Sequence, residues 1–225
     1  MLSKTTKYII KIQRNYRNYR NNHNIRENKC LSIIDLFNLY PDIMRTCYFK
    51  CKKIAKQFPP QKNENKFMYG KLVEMSILNT LEEIGLKCVD LDKNHIIGSE
   101  YKNDISLLKI FFSIKAKLNK NGNVILINKK SNNVKHDPTN LNLILCIINT
   151  GNIYIFPDNA VHNITNYIKN GSATIEYKSS LFTLIDKKYK KFIYKFPSLT
   201  TNQTQFLDKL LPIDLYDIVY TRYIK

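Results

Sequence analysis

The stretch Asn103-Asp104-Ile105-Ser106-Leu107-Leu108-Lys109-Ile110-Phe111-Phe112-Ser113-Ile114-Lys115-Ala116 decides the reading of the chain. Residues 104–108 predict one short strand, and the alternation along residues 109–116 predicts a second. Side chains alternate along a strand, so Ser113 and Lys115 share one face of the second segment.

Working outward, residues 69–84 predict an amphipathic helix, with Leu72, Val73, Ile77, Leu78 and Leu81 at helical spacing and Gly85 as its stop. Residues 87–91 predict a short strand. After the quoted stretch, Asn121-Gly122-Asn123 marks a turn between strands, and residues 124–128 continue as a strand. The apolar run 141–148, the turn at 149–152 and the segment 153–156 predict a hairpin. Residues 173–177 and 191–196 predict edge strands, and 204–219 a helix interrupted at Pro212. Helix, strand, strand, strand and hairpin in this order define an α/β unit: a mixed central sheet flanked by helices.

Upstream of that unit, residues 1–58 predict a basic, helical N-terminal extension. Leu31, Ile33, Ile34, Leu36 and Phe37 give one apolar face, Pro41 breaks the pattern, and a second helix carries Ile43, Met44, Tyr48, Ile54 and Ala55. The polar segment 59–66, with Pro59-Pro60, predicts a linker, leaving residues 67–225 as the main domain. Arg14, Arg17 and Arg20 lie among Tyr16, Tyr19 and many asparagines, in a pattern suited to nucleic-acid contact. Ile12-Gln13 followed by Arg17 resembles the first half of an IQ motif, which implies a calmodulin-like partner at residues 8–26. Asn18 and Asn22 depart from the second half of that motif.

The chain has 225 residues and a formal charge of +18. Such a surface attracts phosphate backbones, because neutralising each phosphate releases condensed counterions. An abundance of Lys, Asn, Ile and Tyr also matches AT-rich coding, as in the genome of a large DNA virus. The five cysteines are irregularly spaced and predict free thiols in a reducing compartment. No signal-peptide run and no membrane-length apolar run occurs, so the expectation is an intracellular protein with no membrane partner. Six scattered glycines make neither a Walker loop nor a dinucleotide fingerprint. No Gly-flanked nucleophilic Ser and no zinc-spaced His pair is present.

The acids and lysines fall where phosphodiester chemistry needs them. Mg²⁺ or Mn²⁺ takes oxygen ligands, and a neighbouring ammonium can position the attacking water and offset developing charge. Glu74 on the helix, Asp104 at the start of one strand and Lys115 on the next supply these groups. Together they resemble the PD-(D/E)XK superfamily, which includes many restriction enzymes. The resemblance implies a restriction-endonuclease-like fold over residues 67–156 and a Mg²⁺-dependent DNA endonuclease. It assigns Asp104 and Glu74 to metal binding, Lys115 to catalysis, and Ser113 and the Ile114 carbonyl to the rest of the shell. Cutting both strands implies a homodimer. Asn103 replaces the family's proline, and Ser113 replaces its second acid. The second departure leaves open a catalytically inactive nuclease fold that binds DNA or RNA. Lys117, Lys129 and Lys130 are the expected phosphate contacts on the main domain, and Lys135 and His136 follow them.

Overall fold

The computed structural model describes residues 24–60, 65–90, 105–108, 110–120, 122–127, 142–164, 166–167, 173–177, 185–207 and 209. Helix α1 covers 24–39, and α2 runs Pro41–Gln57 with its proline at the first turn, where no N–H is required. Helix α3, Lys66–Glu83, ends at Gly85, whose φ of 89° turns the chain back towards the sheet. The strands are β1 (Cys88–Asp90), β2 (Ile105–Leu107), β3 (Ile110–Lys117), β4 (Gly122–Ile127), β5 (Asn142–Ile147) and β6 (Asn152–Phe156). After β6 come α4 (Asp158–Ile164), β7 (Asn166–Tyr167), β8 (Ala173–Tyr177), β9 (Ile193–Lys195) and α5 (Thr201–Phe206).

Six strands form one mixed sheet in the order β1-β2-β3-β5-β6-β9. The β3–β5 pair is parallel, with Ser113 level with Leu143 and Lys117 with Ile147; its neighbours on either side are antiparallel. The expected hairpin is present as β5–β6, and β9 is an edge strand as predicted. Two expectations are corrected. Strand β4 does not turn back onto β3: it joins a separate three-stranded sheet, and β8 is the centre of that sheet and no edge strand. A turn signal fixes where a chain reverses, but the partner is chosen by which apolar faces meet.

The two faces of the large sheet differ. One carries Ile114, Ala116, Ile144, Cys146, Ile153 and Tyr194, and α1 and α2 cover it. Tyr48 of α2 donates to the Ile148 carbonyl at 3.0 Å, and Phe37 of α1 packs edge-on to Tyr194. Helix α3 lies beside α2 and against β3 on this same face. The segment expected as an N-terminal extension therefore shares one continuous core with the main sheet. A buried ion pair strengthens the join: Arg26 of α1 meets Asp158, which is 1% exposed, and Asn142 accepts the Asp158 N–H at 3.1 Å. The opposite face of the sheet carries Ser113, Lys115, Lys117, Leu143, Leu145, Tyr154 and Phe156. Tyr189 packs edge-on to Phe156 there.

Candidate nuclease site and the basic face of β3

Strand β3 extends past its partner. Strand β2 pairs only Ile110, Phe111 and Phe112, so from Ser113 to Lys117 the strand has β5 on one side and no ladder on the other among the described residues. The turn before β3 is tight. Leu108 adopts φ 51°, an uncommon conformation for a side chain of its size, and Lys29 of α1 donates to its carbonyl at 2.6 Å. An N-terminal helix thus secures the hairpin that presents this edge.

Ser113 is fully buried, whereas Lys115 and Lys117 are partly exposed further along the same face. Burial draws the Lys117 ammonium below its usual range, and the charge of Lys66 adds to this. Glu74 lies on α3, the helix packed against β3 on the face opposite Ser113, Lys115 and Lys117. It is buried, with Lys71 as an ion-pair partner at 3.4 Å. Ile114 is also buried, its side chain alternating to the face under α3.

Of the residues expected from sequence, Ser113, Lys115 and Lys117 share one face of β3, whereas Glu74 belongs to the helix on the opposite face. Asp104, Lys129, Lys130, Arg14, Arg17 and Arg20 lie outside the described residues. So do Lys135, His136 and most of the IQ-like segment. Among the described residues no group of three or more His, Cys, Asp or Glu side chains could hold a metal ion.

The sheet also assembles a cluster not evident from sequence. Tyr154 is level with Leu145, which is level with Lys115, so Tyr154 shares the basic face. Its hydroxyl donates to Asp186 Oδ1 at 2.9 Å, and Lys120 donates to Asp186 Oδ2 at 2.6 Å. Burial raises the Tyr154 phenol above its ordinary range. Burial, the largest single influence on Lys120, lowers it, but the Asp186 hydrogen bond together with the Tyr154 interactions and the Asp186 charge outweighs it, and the net direction is upward. Lys115, Lys117 and a fixed Lys120 thus line the chain from the exposed part of β3 into the following loop. Nothing in the spacing of Tyr154 and Asp186 along the sequence signals their meeting.

Among the described residues no helix is long and apolar enough to cross a membrane. Comparison with protein-family models, curated proteins and solved structures finds no match.

Proposed function

We propose that the chain is a metal-dependent DNA endonuclease of restriction-endonuclease-like architecture. The observation that carries the reading is the stretch of β3 from Ser113 to Lys117, which among the described residues pairs only with β5. There Lys115 and Lys117 are partly exposed just beyond the last described β2 pairing, and the helix carrying the buried Glu74 packs against the same strand. The order α3, β1, β2, β3 and then a strand parallel to β3 agrees with the resemblance. The reading requires the β2–β3 register to continue one residue past Ile105↔Phe112, which sets Asp104 across from Ser113.

On this reading Asp104 holds Mg²⁺ or Mn²⁺ on the Ser113 face and Glu74, whose helix covers the opposite face, must reach round the edge of β3 to share the ion, because the Ser113 hydroxyl is a weak neutral ligand. The Ile114 carbonyl completes the shell. The bound ion supplies Lewis-acid polarisation of the phosphate. Lys115 orients the attacking water and offsets charge developing on the phosphate. Lys117, Lys129 and Lys130 contact the backbone, and Arg14, Arg17 and Arg20 extend the grip from the N-terminus. A homodimer would cut both strands, and an intracellular, virus-encoded setting fits the thiols and composition.

A second reading is a nuclease fold that binds DNA or RNA without cutting. The fully buried, neutral Ser113 at the family's acidic position favours it. A plasmid-nicking assay with Mg²⁺ or Mn²⁺ separates the two. Cleavage lost in Asp104→Ala and Lys115→Ala, with duplex binding retained, supports the enzyme. Binding without cleavage under either metal supports the second reading, and absence of both removes the two together.

A further inference from the structure

We infer that the groove at the carboxyl ends of β3 and β5 is a binding site for a nucleoside phosphate. Open α/β sheets place their ligands just beyond the carboxyl ends of parallel strands. Here β3 and β5, a parallel pair, end at Lys117 and Ile147, and the residues that follow, Leu118 and Asn149, line a groove of about 350 Å³. That volume falls at the small end of the range for small-molecule sites, roughly 300–1,000 Å³.

The site is preorganised. Ile148 and Asn149 donate their N–H groups to the carbonyls of Lys117 and Leu118, both at 2.9 Å. The Asn149 side-chain amide donates to Asn119 Oδ1 at 2.6 Å. The two loops are therefore tied together by backbone and side chain.

The wall and floor differ in character. Lys52 and Lys56 lie one helical turn apart on α2 and both line the groove. Lys52 reaches Asn149 Oδ1 at 3.5 Å and lies over the Tyr48 ring. Ala55, Leu118 and Leu207 add apolar surface and Thr204 a hydroxyl, and among the described residues none that lines the groove is acidic. Two ammonium groups beside an apolar floor match a phosphate attached to a flat, largely apolar base. A free mononucleotide and the end of a single strand both present this chemistry. Neither Glu74 nor Lys115 lines the groove, so the inference stands apart from the cleavage reading.

Equilibrium binding of fluorescently labelled adenosine monophosphate and of a 5′-phosphorylated trinucleotide to the full chain tests this. Lys52→Glu/Lys56→Glu reverses the wall charge, and Thr204→Trp fills the groove without changing charge. Both are expected to weaken binding about ten-fold or more, roughly the loss of one charge-assisted hydrogen bond. Thermal midpoints near wild type and unchanged nicking by Thr204→Trp show that folding and the cleavage edge are intact. Binding of both probes, lost in both variants, assigns the groove to free nucleotide. Binding of the trinucleotide alone, lost in the same way, assigns it to a strand end. The inference is overturned if neither probe binds more tightly than about 1 mM, or if the variants bind like wild type. It is also overturned if the distant pair Lys187→Glu/Lys188→Glu weakens binding as much as the groove pair, since both residues are exposed elsewhere.

Discussion

Replacing Gly151 by alanine should destabilise the protein by about 2–3 kcal/mol, for two separable reasons. Gly151 adopts φ 66° in the turn joining β5 to β6. A side-chain-bearing residue in that conformation costs about 1–2 kcal/mol. A Cβ there would also lie 3.2 Å from the Tyr48 hydroxyl oxygen and 3.3 Å from its Cζ. Tyr48 cannot easily retreat: its ring stacks on Phe196 with centroids 4.8 Å apart and planes 9° from parallel, and its hydroxyl donates to Ile148. Disturbing that hydrogen bond adds about 1 kcal/mol. For a chain of this size the total lowers the thermal midpoint by about 4–12 °C. Urea and thermal melts followed by circular dichroism measure both terms. In a Tyr48→Phe background the hydroxyl contact is gone, so Gly151→Ala should cost less, and the double-mutant cycle should show positive relief of roughly 0.5–1 kcal/mol. A loss under about 0.5 kcal/mol for the single variant, or strict additivity in the cycle, would refute the argument that Tyr48 clamps this turn.

Three further outcomes follow from other features. Arg26→Ala should destabilise more than Asp158→Asn, by calorimetry, because the first strands a carboxylate that is 1% exposed while the second leaves a guanidinium 27% exposed and able to reach water; breaking a buried pair in this way costs roughly 3–5 kcal/mol at most. Stability should fall as pH rises from about 10 to 12: burial pushes the Tyr194 phenol up to about 12, so over that window the unfolded chain has lost a proton that the folded state still holds. Tyr194→Phe should flatten this part of the alkaline limb in chemical melts. Native protein at pH 8 should resist alkylation at Cys30, Cys47 and Cys51, all buried with thiols held above their usual range, while the partly exposed Cys88 reacts first in mass-spectrometric mapping.

Local pattern carried much of the architecture. The spacing of Leu72, Val73, Ile77 and Leu81 located α3, and the unbroken apolar run at 141–148 located β5, which is buried on both faces. Alternation in 110–117 placed Ser113 and Lys115 on one face, and the ladder to β5 agrees. Pairing was harder to read, because it depends on faces that meet across long separations. Strand β4 follows β3 after a turn signal yet pairs with β8. The polar segment before α3 predicted a boundary, whereas the apolar faces of α1 and α2 belong to the same core as the sheet. On the site side, Glu74, Ser113 and Lys115 were legible as residue types in order. That Ser113 is fully buried, that Glu74 pairs with Lys71, and that Tyr154, Asp186 and Lys120 converge are consequences of packing. Nothing in the sequence pattern singled out Lys52 and Lys56; the ends of β3 and β5 make them one wall of a groove.

The cover that α1 and α2 provide has a consequence for biosynthesis. Phe37 accepts a hydrogen bond from Tyr194 across 157 residues, and Tyr48 reaches Ile148 across 100. At a translation rate of roughly 5–20 residues per second, the earliest helices wait about 8–30 s for their last strand to emerge. Until β5 and β6 emerge, Ile33, Phe37, Met44 and Ile54 lack most of the sheet that buries them, and until β9 emerges that cover stays incomplete. Nascent chains arrested before residue 193 should therefore recruit holdase chaperones, and release should coincide with the appearance of β9.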